Sequence, residues 1–267
     1  VWASTEFAMR ATTKASLYRR EVTQAAVVAV LLALKKLGDQ AVFPLASGPD
    51  AADHLETGRW RPLVKQNDRA IDWRRHTTSE VLARMRSADG QPGVLDELFG
   101  QTCRIADGHA ATPALMERLP DAQAGTEQAW RDGAVLRRTV DGGVWIGQST
   151  RLDKVQFKLP ATMAFPEECG GLPHLPAPLR REFSEWAELH YAEYGLAIAR
   201  VGYLSFDFYN GAMSTRQCKA LLVALEEVNR RPVKVLVLLG GQDFFSNGIH
   251  PGNTLFPFCG CYLSILY

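Results

Sequence analysis

Residues 233–239, VKVLVLL, are seven positions with a single charge, opened by Pro232 and closed by Gly240-Gly241. A run of that length without polar alternation asks for cover on both faces, which is the pattern of a strand inside a parallel sheet. What comes before it narrows the choice. Ser214, with Gln217 three residues on, reads as a capping box opening a helix that runs to about Arg230. Earlier still, LAIARVGYLSFDF at 196–208 reads as a strand. Strand, helix and parallel strand are joined by a right-handed crossover, so ligand chemistry belongs at the carboxyl end of the second strand. The loop GGQDFFSNGIHPG, residues 240–252, stands at that end.

The composition of that loop permits specific chemistry. Gly240-Gly241 lets the chain leave the sheet sharply, and Phe244 and Phe245 can pin the loop into a core. Asn247-Gly248 permits positive φ, so that the amides that follow can point into a cleft. A pair of such amides can stabilise a thioester oxyanion. Asn-Gly is also a common hairpin signal, and local physics leaves the plain turn open beside the oxyanion reading.

The rest of the chain reads as two further blocks. The first forty residues are expected to form a strand, a polar connection and a buried helix at AAVVAVLLAL, residues 25–34, stopped by Gly38. Arg19-Arg20 before that run imitates a signal peptide, but Glu21 interrupts the basic stretch and Lys35-Lys36 replaces a small-residue cleavage site. Ten apolar residues are also too few to span a bilayer. The chain opens on Val1, and its true N-terminus is expected upstream. Residues 41–62 read as a loop or linker. Thr77 and Glu80 form a capping box before VLARMRS, a short helix ending near Gly90. AVLRRTV-DGG-VWIGQ predicts a hairpin with Asp141-Gly142 at its turn, followed by a strand in VQFKLPA. PEECGGLPHLPAP, residues 166–178, has four prolines in thirteen positions and reads as a linker between domains. LRREFSEWAELHYAEYG, residues 179–195, is expected to be an amphipathic helix with a stop at Gly195.

Bulk composition bounds function without naming it. With 46% hydrophobic and 22% charged residues and a formal net charge of +1, nothing points to disorder, a nucleic-acid-coating surface or a membrane. Five scattered cysteines, an odd number, fit a reduced cytoplasmic chain better than a disulfide scaffold. His250, Cys259 and Cys261 fall short of a four-ligand set, so no metal is expected. Asp72 and Trp73 are expected to be structural. Between Arg59 and Arg86 eight Arg/Lys face three Asp/Glu, a solvated linker surface or, alternatively, a contact for a phosphate-bearing ligand such as coenzyme A.

Resemblance adds to this. Residues 240–250, GGQDFFSNGIH, preceded by the apolar strand and by Asn210-Gly211-Ala212-Met213-Ser214, resemble the first oxyanion loop of the crotonase (enoyl-CoA hydratase/isomerase) superfamily. In that superfamily the amide aimed at the acyl oxygen falls here on Ile249, with Gly248 beside it. KQNDRAIDW at 65–73 and MRSADGQPGV at 85–94 resemble the linker of folate-dependent formyltransferases, and the hairpin region resembles their small C-terminal, OB-like β domain. The HoxX/HypX hydrogenase maturation family joins these modules in this order. VWASTEFAMR, KASLYR, FKLPATMAF and FDFYNGAMS are similar to it as well.

The resemblance implies an α/β plus β architecture. Residues 1–90 would close a formyltransferase-like α/β layer and its linker, 91–165 would be the β domain, 166–178 the Pro-rich linker, and 179–267 the first βαβ crossover of a crotonase fold. It implies formyl transfer from 10-formyltetrahydrofolate to coenzyme A and release of carbon monoxide as a ligand for [NiFe] hydrogenase, with maturation proteins as partners. The Asn, His and Asp of formyl transfer would lie upstream of Val1 and the second oxyanion glycine beyond Tyr267, so the chain is expected to be an internal fragment, inactive alone. After His250 the tail PGNTLFPFCGCYLSILY departs from the family pattern. A formyltransferase acting on tRNA, a crotonase-type enzyme of other specificity and a non-catalytic assembly scaffold are the alternatives.

Overall fold

The computed structural model describes residues 2–39, 61–153, 157–195 and 200–249. The expected linker at 41–62 lies almost entirely outside them, and His250, Cys259 and Cys261 lie wholly outside.

Two sheets organise the described chain. The first is antiparallel and contains β1 (Val94–Leu98), β2 (Gln101–Ala110), β3 (Glu127–Arg131), β4 (Ala134–Arg138), β5 (Gly143–Arg151) and the short β6 (Leu159–Pro160), in the order β1-β2-β5-β4-β3 with β6 also on β5. The expected hairpin is there: Arg138 pairs with Gly143, and Asp141-Gly142 lies in the turn between β4 and β5. The turn is fastened from outside, because the Asp141 carboxylate accepts from the Thr78 amide at 2.7 Å and from its hydroxyl at 2.8 Å. Thr78 opens α3 (Thr78–Ser87), whose N-terminus carries the expected Thr77–Glu80 capping box. α3 buries Val81, Leu82 and Met85 against the sheet, in one core with Val94, Ile105 and Ile146. Trp73 joins that core and donates its indole N–H to Asp96 at 2.9 Å, the structural role expected of it.

The second sheet has the order β7-β8-β9, with β7 at Leu189–Tyr194, β8 at Val201–Phe206 and β9 at Val235–Leu239. β8 and β9 are parallel, and the helix between them, α7 (Thr215–Asn229), starts with the expected Ser214–Gln217 capping box. β9 is less covered than its composition implied, with Val235 and Leu239 exposed. It is the edge strand of its sheet, so one of its flanks has no neighbour among the described residues.

Three expectations need correction. Residues 179–195 are not a helix: 179–188 are irregular and 189–194 form β7, antiparallel to β8. The Arg181 guanidinium donates to the carbonyls of Pro178, Glu185, Ala187 and Leu189, occupying acceptors that a helix would have paired internally. Residues 2–13 contain no strand; the Trp2 carbonyl instead accepts from Lys36 Nζ at 3.1 Å, which lays this stretch back along α2 (Thr23–Asp39). α2 has no buried residue, and Leu31 is 60% exposed, because no described element packs over its apolar positions.

The Pro-rich segment is packed rather than free. Helix α4 (Pro113–Arg118) joins β2 to β3; after the single turn α5 (Ala161–Ala164), the first residues of the Pro-rich segment form the short helix α6 (Pro166–Gly170), which buries Cys169, and the His174 ring stacks on Trp130 at 4.0 Å. Trp130 N–H donates to the Pro173 carbonyl at 3.0 Å and its carbonyl accepts from Leu175 N–H at 2.9 Å. Contacts of that density are not those of a loose linker, whatever role the segment has as a boundary.

The seam between the sheets runs through Glu188. Its amide donates to Asp132 Oδ2 at 3.0 Å, its carbonyl accepts from the Asp207 amide at 2.9 Å, and its carboxylate accepts from Arg216 at 2.6 Å and from Gln217 Nε2 at 2.7 Å. Burial pushes the Glu188 carboxyl up to about 7, with Arg216 opposing the shift. A folded-state pKa above the unfolded one means that the stabilising contribution is complete below about 4.5 and is lost as the pH rises through about 7. The Glu188→Gln variant should therefore lose less stability than the parent between pH 5 and pH 8 in urea titrations. Equal losses would show that Glu188 titrates as an ordinary surface carboxyl.

Candidate functional site

The chain leaves β9 through Gly240-Gly241, and the backbone there has no room for side chains. A Cβ on Gly240 would lie 2.4 Å from Phe245 Cα, so the loop folds back over its own beginning. A Cβ on Gly241 would lie 2.4 Å from Asp207 Oδ1, which brings bare backbone against a carboxylate. The Phe208–Ser214 turn forms a second layer. Asn210 and Gly211 adopt φ of 54° and 67°, the Gly211 carbonyl accepts from Asn247 N–H at 2.8 Å, and Met213 N–H donates to the Gly248 carbonyl at 2.9 Å. Phe245 meets Phe206 edge-on at 5.2 Å between ring centroids, and Phe244 packs over Gly211. Gly248 has φ of +85°, the backbone that the Asn-Gly pair anticipates. Ile249 forms an isolated parallel bridge with Met213, outside any hairpin ladder, and is 75% exposed.

Two adjoining cavities of about 260 and 650 Å³ lie beside this loop, between the sheets. They share Arg86, Gly108, His109, Asp207, Gly241 and Gln242. Gly248 and Ile249 line neither one; the loop faces the cavities with its other corner, Gly241 to Phe244.

The charged centre of the cleft was missed in the sequence. His109 Nε2 lies 2.9 Å from Asp107 Oδ1, and its ring stacks on Trp186 at 4.6 Å. Burial pulls the His109 pKa down, but the charges of Asp107 and Asp207 outweigh it and the net shift is upward. Asp207 is itself raised, first by desolvation and then by the charge of Asp107. An imidazolium paired with Asp107 and within the field of Asp207 can hold or pass a proton at the cleft wall. Asp107 sits in mid-strand at φ +61°, and a Cβ on the facing Gly147 would lie 2.1 Å from its Oδ2. Gly147 therefore makes the space that the Asp107 carboxylate occupies. The available signal was the glycine facing Asp107-Gly108 across two strands, which a reading by segment does not pair. Among the described residues no cluster of His, Cys, Asp and Glu has the arrangement of a metal site, and no helix is long and apolar enough to cross a membrane.

Fold and cleft together define a mixed α/β protein in which an antiparallel β domain meets a β–α–β unit across a polar junction. No protein-family model matches the chain. It is 41% identical over 254 residues to the hydrogenase maturation factor HoxX of Bradyrhizobium diazoefficiens, an alignment covering 94% of this chain and 41% of that protein. Crystal structures of HypX from Aquifex aeolicus superpose with a TM-score of 0.77 at 33% identity, covering 93% of this chain. One of these is a four-residue variant, of which 43% is covered, and another is a complex with tetrahydrofolic acid, of which 41% is covered. The chain belongs to the HoxX/HypX family and spans about two fifths of the length of these relatives.

Two variants test the cleft. Asp107→Asn should lower the His109 pKa, read from the imidazole proton resonances, since removing an adjacent carboxylate destabilises the imidazolium. Gly147→Ala should destabilise the fold by about 1–3 kcal/mol through overpacking and lower the same pKa by displacing Asp107. An unmoved His109 in both variants would remove Asp107 from the account of this site.

Proposed function

We propose that the chain supplies part of a cytoplasmic hydrogenase maturation enzyme that makes the carbon monoxide ligand of [NiFe] hydrogenase from 10-formyltetrahydrofolate by way of formyl-coenzyme A. The observation that carries this reading is the seating of the 240–249 loop at the carboxyl end of β9, built on glycines and held against the Asn210–Met213 turn. In this reading the loop is the first oxyanion loop of a crotonase-type module, and the backbone amides of Ile249 and Gly248 are the candidates for the single donor that this loop contributes. The β1–β6 domain is the formyltransferase C-terminal-like module, the Pro-rich stretch separates the modules, and maturation proteins are the partners. HypX of Aquifex aeolicus has been crystallised with tetrahydrofolic acid, which supports folate as the formyl carrier.

Coenzyme A as the acceptor fits the neighbouring groove of about 650 Å³, which combines Trp186, Tyr203 and Phe183 with the charges of Arg86 and His109 and an edge of unsubstituted loop backbone. When bound, it supplies the thiol that carries formyl as a thioester. Gly248 and Ile249 lie outside this groove, so in this reading the acyl end of the thioester would extend past the Gly241–Phe244 corner to reach their amides, while the apolar wall of the groove excludes water. His109, raised by Asp107 and Asp207, is placed to keep a proton at the cleft wall.

An oxyanion site needs two converging donors, and loss of one typically costs a hundred- to a thousandfold in rate. A longer protein that spans its HoxX/HypX relatives end to end is expected to consume 10-formyltetrahydrofolate in the presence of coenzyme A and to release carbon monoxide trapped by haemoglobin. The 267-residue chain alone is expected to do neither. Turnover by the shorter chain would move the active site, and an inert longer protein would favour the assembly-scaffold reading.

A further inference from the structure

The Gln242–Phe244 corner of the loop is fastened by residues more than two hundred positions earlier in the chain. Ser16, 1% exposed, donates its hydroxyl to Asp243 Oδ1 at 2.8 Å. With its only hydroxyl proton so used, Ser16 Oγ accepts from Arg10 at 2.7 Å, and Arg10 in turn donates to Glu21 at 2.5 Å. Arg19 and Arg20 approach the two Asp243 carboxylate oxygens at 3.8 and 3.6 Å. Arg20 also donates to the Gln242 carbonyl, and the Arg19 guanidinium lies 4.3 Å above the Phe244 ring.

The local backbone explains how two adjacent side chains reach one target. The chain enters α1 (Lys14–Leu17) through the Thr13 cap and then passes into a π-helical turn, Tyr18–Val22, before continuing as α2. Hydrogen bonds to i+5 widen the turn and rotate the chain less per residue than an α-helix, so Arg19 and Arg20 diverge less around the axis. A wide turn of this kind costs hydrogen-bond geometry and is commonly kept for function. The KASLYR segment, residues 14–19, contributes Ser16 and Arg19, and Arg10, Arg20 and Glu21 flank it. Ion pairs as exposed as those of Arg19 and Arg20 contribute little stability, so the contact acts mainly on geometry, with the half-buried Ser16–Asp243 bond at its centre.

We propose that Ser16, Arg19 and Arg20 are positioning residues for the 240–249 loop. They fix its Gln242–Phe244 corner and, through the turns that follow, the orientation of the Gly248 and Ile249 amides. The inference rests on the oxyanion reading of the loop for its catalytic meaning. It also makes the loop sensitive to any displacement of the N-terminal helical segment, which is how an event on that side of the molecule would reach the cleft.

Hydrogen exchange resolved by mass spectrometry on the 267-residue chain tests the contact. In Ser16→Ala and in Arg20→Ala, amides of residues 241–249 should exchange at least tenfold faster, while those of β2 and β5 stay as protected as in the parent. Unchanged loop exchange in both variants overturns the proposal. If either variant loosens the whole molecule, the reciprocal pair Arg20→Asp with Asp243→Arg decides: restored loop protection supports positioning, and failure to restore it overturns it. Titration with acetyl-coenzyme A, followed through the Gly248 and Ile249 amide resonances, separates the two layers. A loop that loosens as expected but whose amides ignore the thioester leaves the positioning intact and defeats the oxyanion reading.

Discussion

Glu188 carries the junction on which the cleft depends. It belongs to neither sheet, yet its amide reaches Asp132 at the β3–β4 turn, its carbonyl holds the amide of Asp207, and its carboxylate meets Arg216 and Gln217 in the first turn of α7. Gln217 closes the helix cap with its side-chain oxygen and spends its amide nitrogen on Glu188, so one residue joins helix initiation to sheet docking. The carboxylate is costly to bury, and its three side-chain hydrogen bonds offset that cost only in this arrangement. Because Asp207 is placed by the Glu188 carbonyl, its position relative to Asp107 and His109 follows from the seam. The electrostatics of the cleft are thereby a consequence of how the two sheets meet.

Local chemistry made much of the fold legible. Both capping boxes and the Asp141-Gly142 hairpin depend on interactions spanning a few residues, which adjacent letters record, and the parallel β8–β9 pairing follows from the strand–helix–strand order. The errors arose where distant groups intervene. Residues 179–195 have helical apolar spacing, but Arg181 captures four backbone carbonyls and pairing with β8 takes the remainder. The apolar runs of α2 and β9 promised burial, and a run of letters carries no statement of what covers it.

The candidate site divides in the same way. Gly248 at positive φ and the glycine exit from β9 could be read in sequence because backbone freedom is a property of single residues. The His109 centre could not, since Asp107 lies within β2 and Asp207 just past the end of β8, a hundred positions apart, and neither stands out alone. The fastening of Asp243 by Ser16 was equally hidden: serine, aspartate and paired arginines are ordinary surface letters until the fold brings them together.

Several departures from regular geometry border the cleft, in addition to the left-handed residues Phe99 and Asp132 in the β1–β2 and β3–β4 turns. Asp107 and Asn210 occupy left-handed backbone, Gly147 and Gly241 leave carboxylates space that any Cβ would take, and the chain entering α2 widens into a π-helical turn. Each departure from regular geometry costs free energy, and strained residues persist only where surrounding structure over-determines them. Here the surroundings do so, because the β2–β5 ladder continues on both sides of Asp107 and the Asn210 turn is bonded to the loop it faces. Five such departures border this one junction, while the Leu136–Trp145 pairing of the neighbouring hairpin stays regular. The Gly241–Phe244 corner of the loop and the His109 centre meet on the same cleft, whose two cavities share Arg86, His109, Asp207 and Gly241.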